Sequence, residues 1–282
     1  MLTLDGAKPP RERGRFRRLF GFVKPYFIGL GYTWWLFWFG WLTRQGRGSI
    51  VEIASRTGYR HVSRVKGKLP VAPVESLIGD SREITLSSIT GVDGNVTDRE
   101  LVVLSGVVRA TKAKSIFEFG TFDGRTTRNL AANVPADRSV WTLDLPASSM
   151  TDLAVPIDRQ EQKYVTKQRS GERYRDTPEE GRIVQLYGDS GSYDFSKLLG
   201  AFDFVFVDAS HAYQYVINDS LIALELLSSR GGIIAWHDYG RWDGVTRAVN
   251  DLQRLHPYFR ELVMVEGTTL ALLQVGPSRQ GV

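Results

Sequence analysis

The 282-residue chain has no cysteine, three methionines and four histidines. Without cysteine there is no disulfide, no thiolate metal site and no thiol nucleophile, a composition that suits a reducing compartment. Two further absences concern nucleotides. The turn "FEFGTFDGRTT" (117–127) is not G-x-G-x-x-G, which argues against a nicotinamide-dependent oxidoreductase, and no G-K-[ST] follows it, which excludes a phosphate loop. Histidine is scarce enough that each one can be placed. His61 and His256 stand in unpatterned surroundings and are set aside as catalytic candidates. His211 and His237 sit beside aspartates, in "VDASHAY" (207–213) and "AWHDYG" (235–240).

What is present describes a globular protein, 42% apolar and 24% charged. Charge is unevenly spread. Residues 1–70 carry 14 Lys and Arg against 3 Asp and Glu, whereas the rest carries 22 against 28. The high pI therefore gives no reason to expect a nucleic-acid partner, and the two parts of the chain are expected to meet different surroundings. Residues 25–42, "PYFIGLGYTWWLFWFGWL", hold no charge and four of the seven tryptophans. No small-residue cleavage site follows, which argues against a signal peptide. The stretch only just reaches the roughly 20 residues of a spanning helix, and its Trp and Tyr favour the bilayer interface. Residues 11–42 are therefore expected to bind a membrane surface, on its cytoplasmic side, as a peripheral anchor or a single span. The alternative is an aromatic arm packed on the body of the protein or on a second copy in a homo-oligomer.

Residues 1–45 thus form an anchor segment and 46–96 a mixed connector. From Thr97 the pattern sharpens. "TDRELVVLSGVVRATKA" has helical spacing and opens with a Thr97/Glu100 capping box. Strands and helices then alternate to about residue 275, and 276–282 form a tail. The alternation predicts an α/β, doubly wound, Rossmann-like domain over 97–275 with a mostly parallel sheet. Its last two β runs, around a "GTT" turn, require one antiparallel strand. Residues 147–181 interrupt the alternation as a long polar insertion, the kind of segment that forms a lid or binding loop.

In the glycine turn, Gly120 ends a strand and Gly124 opens a helix, which permits close backbone approach of a ligand. Glu118 would repel a pyrophosphate and suit a cationic or amine-bearing group. Asp144 ends the next strand, 24 residues after Gly120, where a carboxylate can accept both ribose hydroxyls. Asp189 and Ser190 end the following one, at the place of an adenine edge. From about Gly94 to Val275, the motifs "EFGTFDG", "DASH" and "HD" resemble class I S-adenosylmethionine-dependent methyltransferases. The similarity is to the small-molecule O-methyltransferase branch with D-x-x-H and H-D or D-D strand ends.

The resemblance implies a seven-stranded sheet with its final strand antiparallel and S-adenosyl-L-methionine as cofactor. Glu118, Gly120, Thr121 and Gly124 would cradle the methionine part, Asp144 the ribose, and Asp189 with Ser190 the adenine region, with Asp208 also at the cofactor. Asp208 and His211 are the expected catalytic pair, with His211 as general base. Some relatives use magnesium. Here Asp208, His237 and Asp238 are the candidate ligands for Mg2+ or another divalent cation, although magnesium prefers oxygen donors and His237 offers nitrogen. Asp219 is read as a residue orienting His211, and Tyr213, Tyr239, Trp242 and Asp243 as walls of an acceptor pocket. The acceptor would be a small molecule or a lipid-linked one. The competing possibility is a membrane-associated binding or scaffold protein that keeps this fold without catalysis.

Overall fold

In a computed structural model, the described residues are 13–43, 46–47, 49–50, 63–79, 83–146, 148, 153–156, 161–167 and 169–277, with 13–22 described by their backbone alone. His61, residues 11–12 of the anchor and 278–282 of the tail lie outside them. The chain divides into two units, Met1–His61 and Val62–Val282.

The first unit contains helix α1 (Arg13–Phe39), which runs through Pro25 and closes in a 3-10 turn at Gly40–Leu42. Leu36 is buried beside Gly40 and Ile50. Around it the aromatic side chains stand in solvent, with Phe37 74%, Trp34 66% and Phe27 63% exposed. Among the described residues no helix is long and apolar enough to cross a membrane.

The second unit is built on one sheet whose strands run β1-β7-β8-β6-β5-β2-β3-β4. They are β1 Val71–Ala72, β2 Ile116–Phe119, β3 Val140–Asp144, β4 Ile183–Tyr187, β5 Phe204–Val207, β6 Gly232–Trp236, β7 Val263–Val265 and β8 Ala271–Val275. Every pairing is parallel except those of β8, which is antiparallel to β6 and β7. The expected seven strands are here joined by an eighth from the connector. Two residues suffice because the edge of β7 offers unpaired groups: Met264 N donates to Pro70 O and Glu266 N to Ala72 O.

Both faces of the central strands are covered, which explains runs such as FVFV in β5 and GIIAW in β6 that are apolar without alternation. Phe117, Phe119, Val205, Val207, Ile234 and Trp236 pack against helices α6 (Tyr213–Leu226) and α7 (Asp243–Leu255). Ile116, Phe204, Phe206, Ile233 and Ala235 pack against α3 (Asp98–Thr111) and α4 (Arg125–Asn133) on the other side. The short helices α2 (Val74–Ile78) and α5 (Gln162–Val165) precede and follow these in the connector and the insertion. The expected capping box is present: Thr97 Oγ1 accepts from Glu100 N, and Glu100 Oε2 accepts from Thr97 N.

Residues 83–96 have no regular structure, yet they are held closely. Arg125, Asn129 and Asn133, spaced i, i+4 and i+8 on α4, share one helix face. Asn133 Oδ1 accepts from Thr85 N and Asn129 Oδ1 from Ser87 N. Asn133 Nδ2 donates to Thr85 O and Asn129 Nδ2 to Ser88 O. The guanidinium of Arg125, fully buried, donates to the carbonyls of Ser88, Ile89 and Val96. This ladder brings Gly94 and Asn95 to the rim of the site.

Candidate active site

Phe119, Val207 and Trp236 lie in register on three adjacent parallel strands. The next residues, Gly120, Asp208 and His237, therefore leave the sheet side by side, although up to 117 positions separate them. Gly120 has φ +90°, and a Cβ there would lie 2.0 Å from the carbonyl oxygen of Asp208. That approach is closed to any other residue. Asp238 has φ +62°. Successive strand side chains point to opposite faces, and this left-handed residue breaks that alternation. His237 Nδ1 and Asp238 Oδ2 consequently turn toward each other, 3.4 Å apart.

A continuous series of acids and imidazoles results. Glu100 Oε2 lies 3.3 Å from His237 Nε2, and Asp208 Oδ1 lies 3.0 Å from His237 Nδ1. Asp238 Oδ2 then meets His211 Nε2 at 2.9 Å, and Glu161 Oε1 lies 3.3 Å from His211 Nδ1. The His211 ring stacks on Trp242 with centroids 4.3 Å apart and planes 4° from parallel. Burial would lower the proton affinity of both imidazoles, but their acidic partners outweigh it. His211 is raised to about 9 and His237 well above its ordinary value. Asp238 is held low by His237 and His211 despite burial, whereas burial keeps Asp208 above the usual carboxylate range.

Two cavities open here. The first, about 700 Å3 including its mouth, is lined by Gly120, Asp144, Lys167, Asp189, Ser190 and Asp208. The second, about 600 Å3, is lined by Asn95, Thr121, His237, Asp238, Arg241 and Trp242. They share Gly120, Phe122, Tyr164, Asp208, Ala209 and His211.

Five of the residues expected at the cofactor, Gly120, Asp144, Asp189, Ser190 and Asp208, line the first cavity. Three others do not. Thr121 faces the second cavity. Gly124 is covered by the insertion, since a Cβ there would lie 2.7 Å from Tyr174 and 2.8 Å from Gly171. Glu118 is buried on the α4 face of the sheet, where it accepts hydrogen bonds from Thr127 and Thr142, and it braces the turn from beneath.

Burial raises the Glu118 carboxyl to about 8, against those two hydrogen bonds and with smaller contributions from Asp208 and Asp144. The folded protein therefore keeps a proton that the unfolded chain releases near pH 4.5. Stability is undiminished below that pH and falls as pH rises toward 8. Glu118→Gln is expected to remove this dependence and stabilise the domain at pH 8 by on the order of a few kcal/mol, with little change at pH 4.5. Urea unfolding at the two pH values tests it, and equal behaviour at both would refute a protonated Glu118.

Other expectations also need correcting. Asp219 is buried and lies with Asn218 and Ser190 behind the Asp189 strand end, not at His211. Two acids flank the His211 ring instead, Asp238 at Nε2 and Glu161, from the insertion, near Nδ1, and Glu161 accepts from Ser210 Oγ and His211 N. No periodicity marks it, and it lies 50 positions from its partner. Of the four residues expected around the acceptor, Trp242 lines the second cavity. Tyr213 instead bonds Asp251, Tyr239 bonds Asn250 beneath Lys68 and Leu69, and Asp243 accepts from Ser63 and Arg64. His256 lies away from both cavities, against Tyr258 and Phe259.

Residues 117–239 match the family model described as a methyltransferase domain. No curated protein matches the chain. Among solved structures, an O-methyltransferase from Bacillus cereus in complex with SAH is similar at 18% identity, with 65% of this chain and 84% of that one covered and a TM-score of 0.42. The O-methyltransferase TomG from Streptomyces achromogenes, involved in tomaymycin synthesis and solved with SAM, gives 19%, 65%, 83% and 0.42 in the same order. The SAH-bound methyltransferase PaMTH1 from Podospora anserina gives 17%, 65%, 80% and 0.44.

Proposed function

We propose that the chain is a class I S-adenosylmethionine-dependent methyltransferase, its residues 117–239 matching the methyltransferase-domain model, and that it methylates a hydroxyl oxygen. The cofactor occupies the first cavity and the acceptor the second. The observation that carries this reading is the wall the two cavities share, formed by Gly120, Asp208 and His211 among others. A methyl group crossing there moves from sulfur to oxygen without passing through solvent.

Asp144 accepts the ribose hydroxyls, Asp189 and Ser190 meet the adenine edge, and Asp208 stands beside the sulfonium. Bound there, S-adenosylmethionine would supply a methyl group to the acceptor oxygen, with the carbon–sulfur bond breaking and S-adenosylhomocysteine as the leaving product. The acceptor proton passes to His211, positioned by Asp238, Glu161 and the Trp242 ring. Calorimetry with S-adenosylhomocysteine tests the cofactor assignment, and absence of binding at millimolar ligand would sink it.

Asp208, His237 and Asp238 are also the residues that would hold a divalent cation, since one donor atom from each lies within 4.8 Å of the others. Glu100 on the far ring nitrogen of His237 gives the acid–imidazole arrangement common behind metal-binding histidines. One nitrogen and two carboxylates suit manganese, iron or zinc better than magnesium. Such an ion would lower the pKa of the acceptor hydroxyl.

Helix α1 serves as an interfacial anchor on the anionic cytoplasmic leaflet, its tryptophans at headgroup depth, and the basic composition of the sequence before residue 25 supplies the charge such a leaflet attracts. An acceptor carried in or near lipid follows from that placement. The full chain is expected to sediment with phosphatidylglycerol vesicles and less with phosphatidylcholine ones, and to be released by salt. A chain that stays in the supernatant with both would remove the anchor.

A further inference from the structure

The insertion reaches the ribose acid itself. At the end of β3, Asp144 is 7% exposed, and Lys167 Nζ lies 2.7 Å from its Oδ2. The hydroxyl of Ser170, itself buried, donates to the same oxygen. Asp144 and Lys167 both line the first cavity. One carboxylate oxygen offers about two acceptor sites, and on Oδ2 a lysine and a serine use them.

The two residues sit between stretches that are fastened independently. Upstream, Glu161 bonds Ser210 and His211, and Lys163 pairs with Asp93 at 2.5 Å. Downstream, Gly171 N donates to Phe122 O, Arg173 N donates to Asp123 O, and Arg173 Nε lies 2.7 Å from Asp123 Oδ2. Lys167 and Ser170 can therefore leave Asp144 while the insertion stays attached at both ends.

We propose that Lys167 and Ser170 are residues of the cofactor site, which hold Asp144 and yield it to the two ribose hydroxyls when S-adenosylmethionine enters. This rests on the assignment of Asp144 to the ribose. A vicinal diol uses both carboxylate oxygens and must meet Lys167 and Ser170 at Oδ2. The apparent affinity for the cofactor is then the intrinsic one reduced by the exchange.

Calorimetry of the full chain with S-adenosylhomocysteine tests this on Lys167→Met, Ser170→Ala and the double variant. The double variant is expected to bind roughly three- to ten-fold more tightly than the parent, because the competing partners are gone. Lys167→Arg, which keeps the charge, is expected to stay near the parent. Unchanged or weaker binding in the double variant would overturn the proposal. Ser170→Ala removes a single hydroxyl and keeps the test decisive if a lysine variant fails to fold. Asp144→Asn separates the two assignments. If it binds like the parent, the ribose assignment fails and takes the exchange with it. If it binds at least ten-fold more weakly while the lysine and serine variants do not tighten, only the exchange falls.

Discussion

His211→Ala is expected to lower turnover by a factor on the order of 10² or more while leaving S-adenosylhomocysteine affinity close to that of the parent. The ring is fixed on three sides, by Trp242 beneath it, Asp238 at Nε2 and Glu161 at Nδ1. Those carboxylates do more than orient it. Burial would favour the neutral imidazole, yet Asp238 and Glu161 raise its pKa to about 9. At pH 7 the ring is mostly charged, and the fraction able to accept a proton grows as pH approaches 9. In the parent, kcat/KM should therefore climb between pH 7 and 9 and level off above. In the variant the residual rate should lose that limb. A variant that turns over at the parental rate removes His211 from the chemistry, and so does a parent profile flat across the range.

Glu100→Ala should cost the most stability of any single change at the site, about 3–5 kcal/mol, the usual penalty for removing one partner of a buried charge pair. Glu100 is 1% exposed, and it accepts from Thr97, from Thr269 N and Oγ1, and from His237. Burial alone would raise its pKa, but His237 and the amides of Thr97 and Thr269 lower it. Without it, a charged imidazole is left in the interior beside Asp208 and Asp238. Thr97→Ala removes only the cap and should cost about 1 kcal/mol. Urea unfolding of the two variants separates the roles. Equal losses would reduce Glu100 to a capping residue.

Sequence reasoning reached the sheet and the strand ends because both leave local marks. Continuous apolar runs announce strands buried on two faces, and the residues just beyond them, Gly120, Asp144, Asp189, Asp208 and His237, stand where the runs stop. The Thr97/Glu100 box was equally readable, but only its local half. That the same carboxylate crosses to His237 depends on the register of β6 against β5 and on the path of 268–270, which no spacing encodes. Glu161 was hidden for a similar reason: an acid in a polar insertion has nothing to distinguish it until the chain folds back. Glu118 was misassigned because strand position specifies a face without saying which face holds the ligand. The two-residue β1 was too short for any pattern, and it forms because β7 presents an unpaired edge.

The ladder from α4 to residues 85–96 also bears on how such an enzyme can change. Arg125, Asn129 and Asn133 grip backbone amides and carbonyls, groups that almost every amino acid supplies. Most of the gripped segment can thus exchange its side chains with little cost to its position, while the three gripping residues cannot be exchanged. The rim of the second cavity is the exception: Gly94, at φ +98°, would bring a Cβ within 2.7 Å of Tyr164, and Asn95 holds Val92 N and Asp123 Oδ1. Drift is open to the rest of the segment and closed at those two positions.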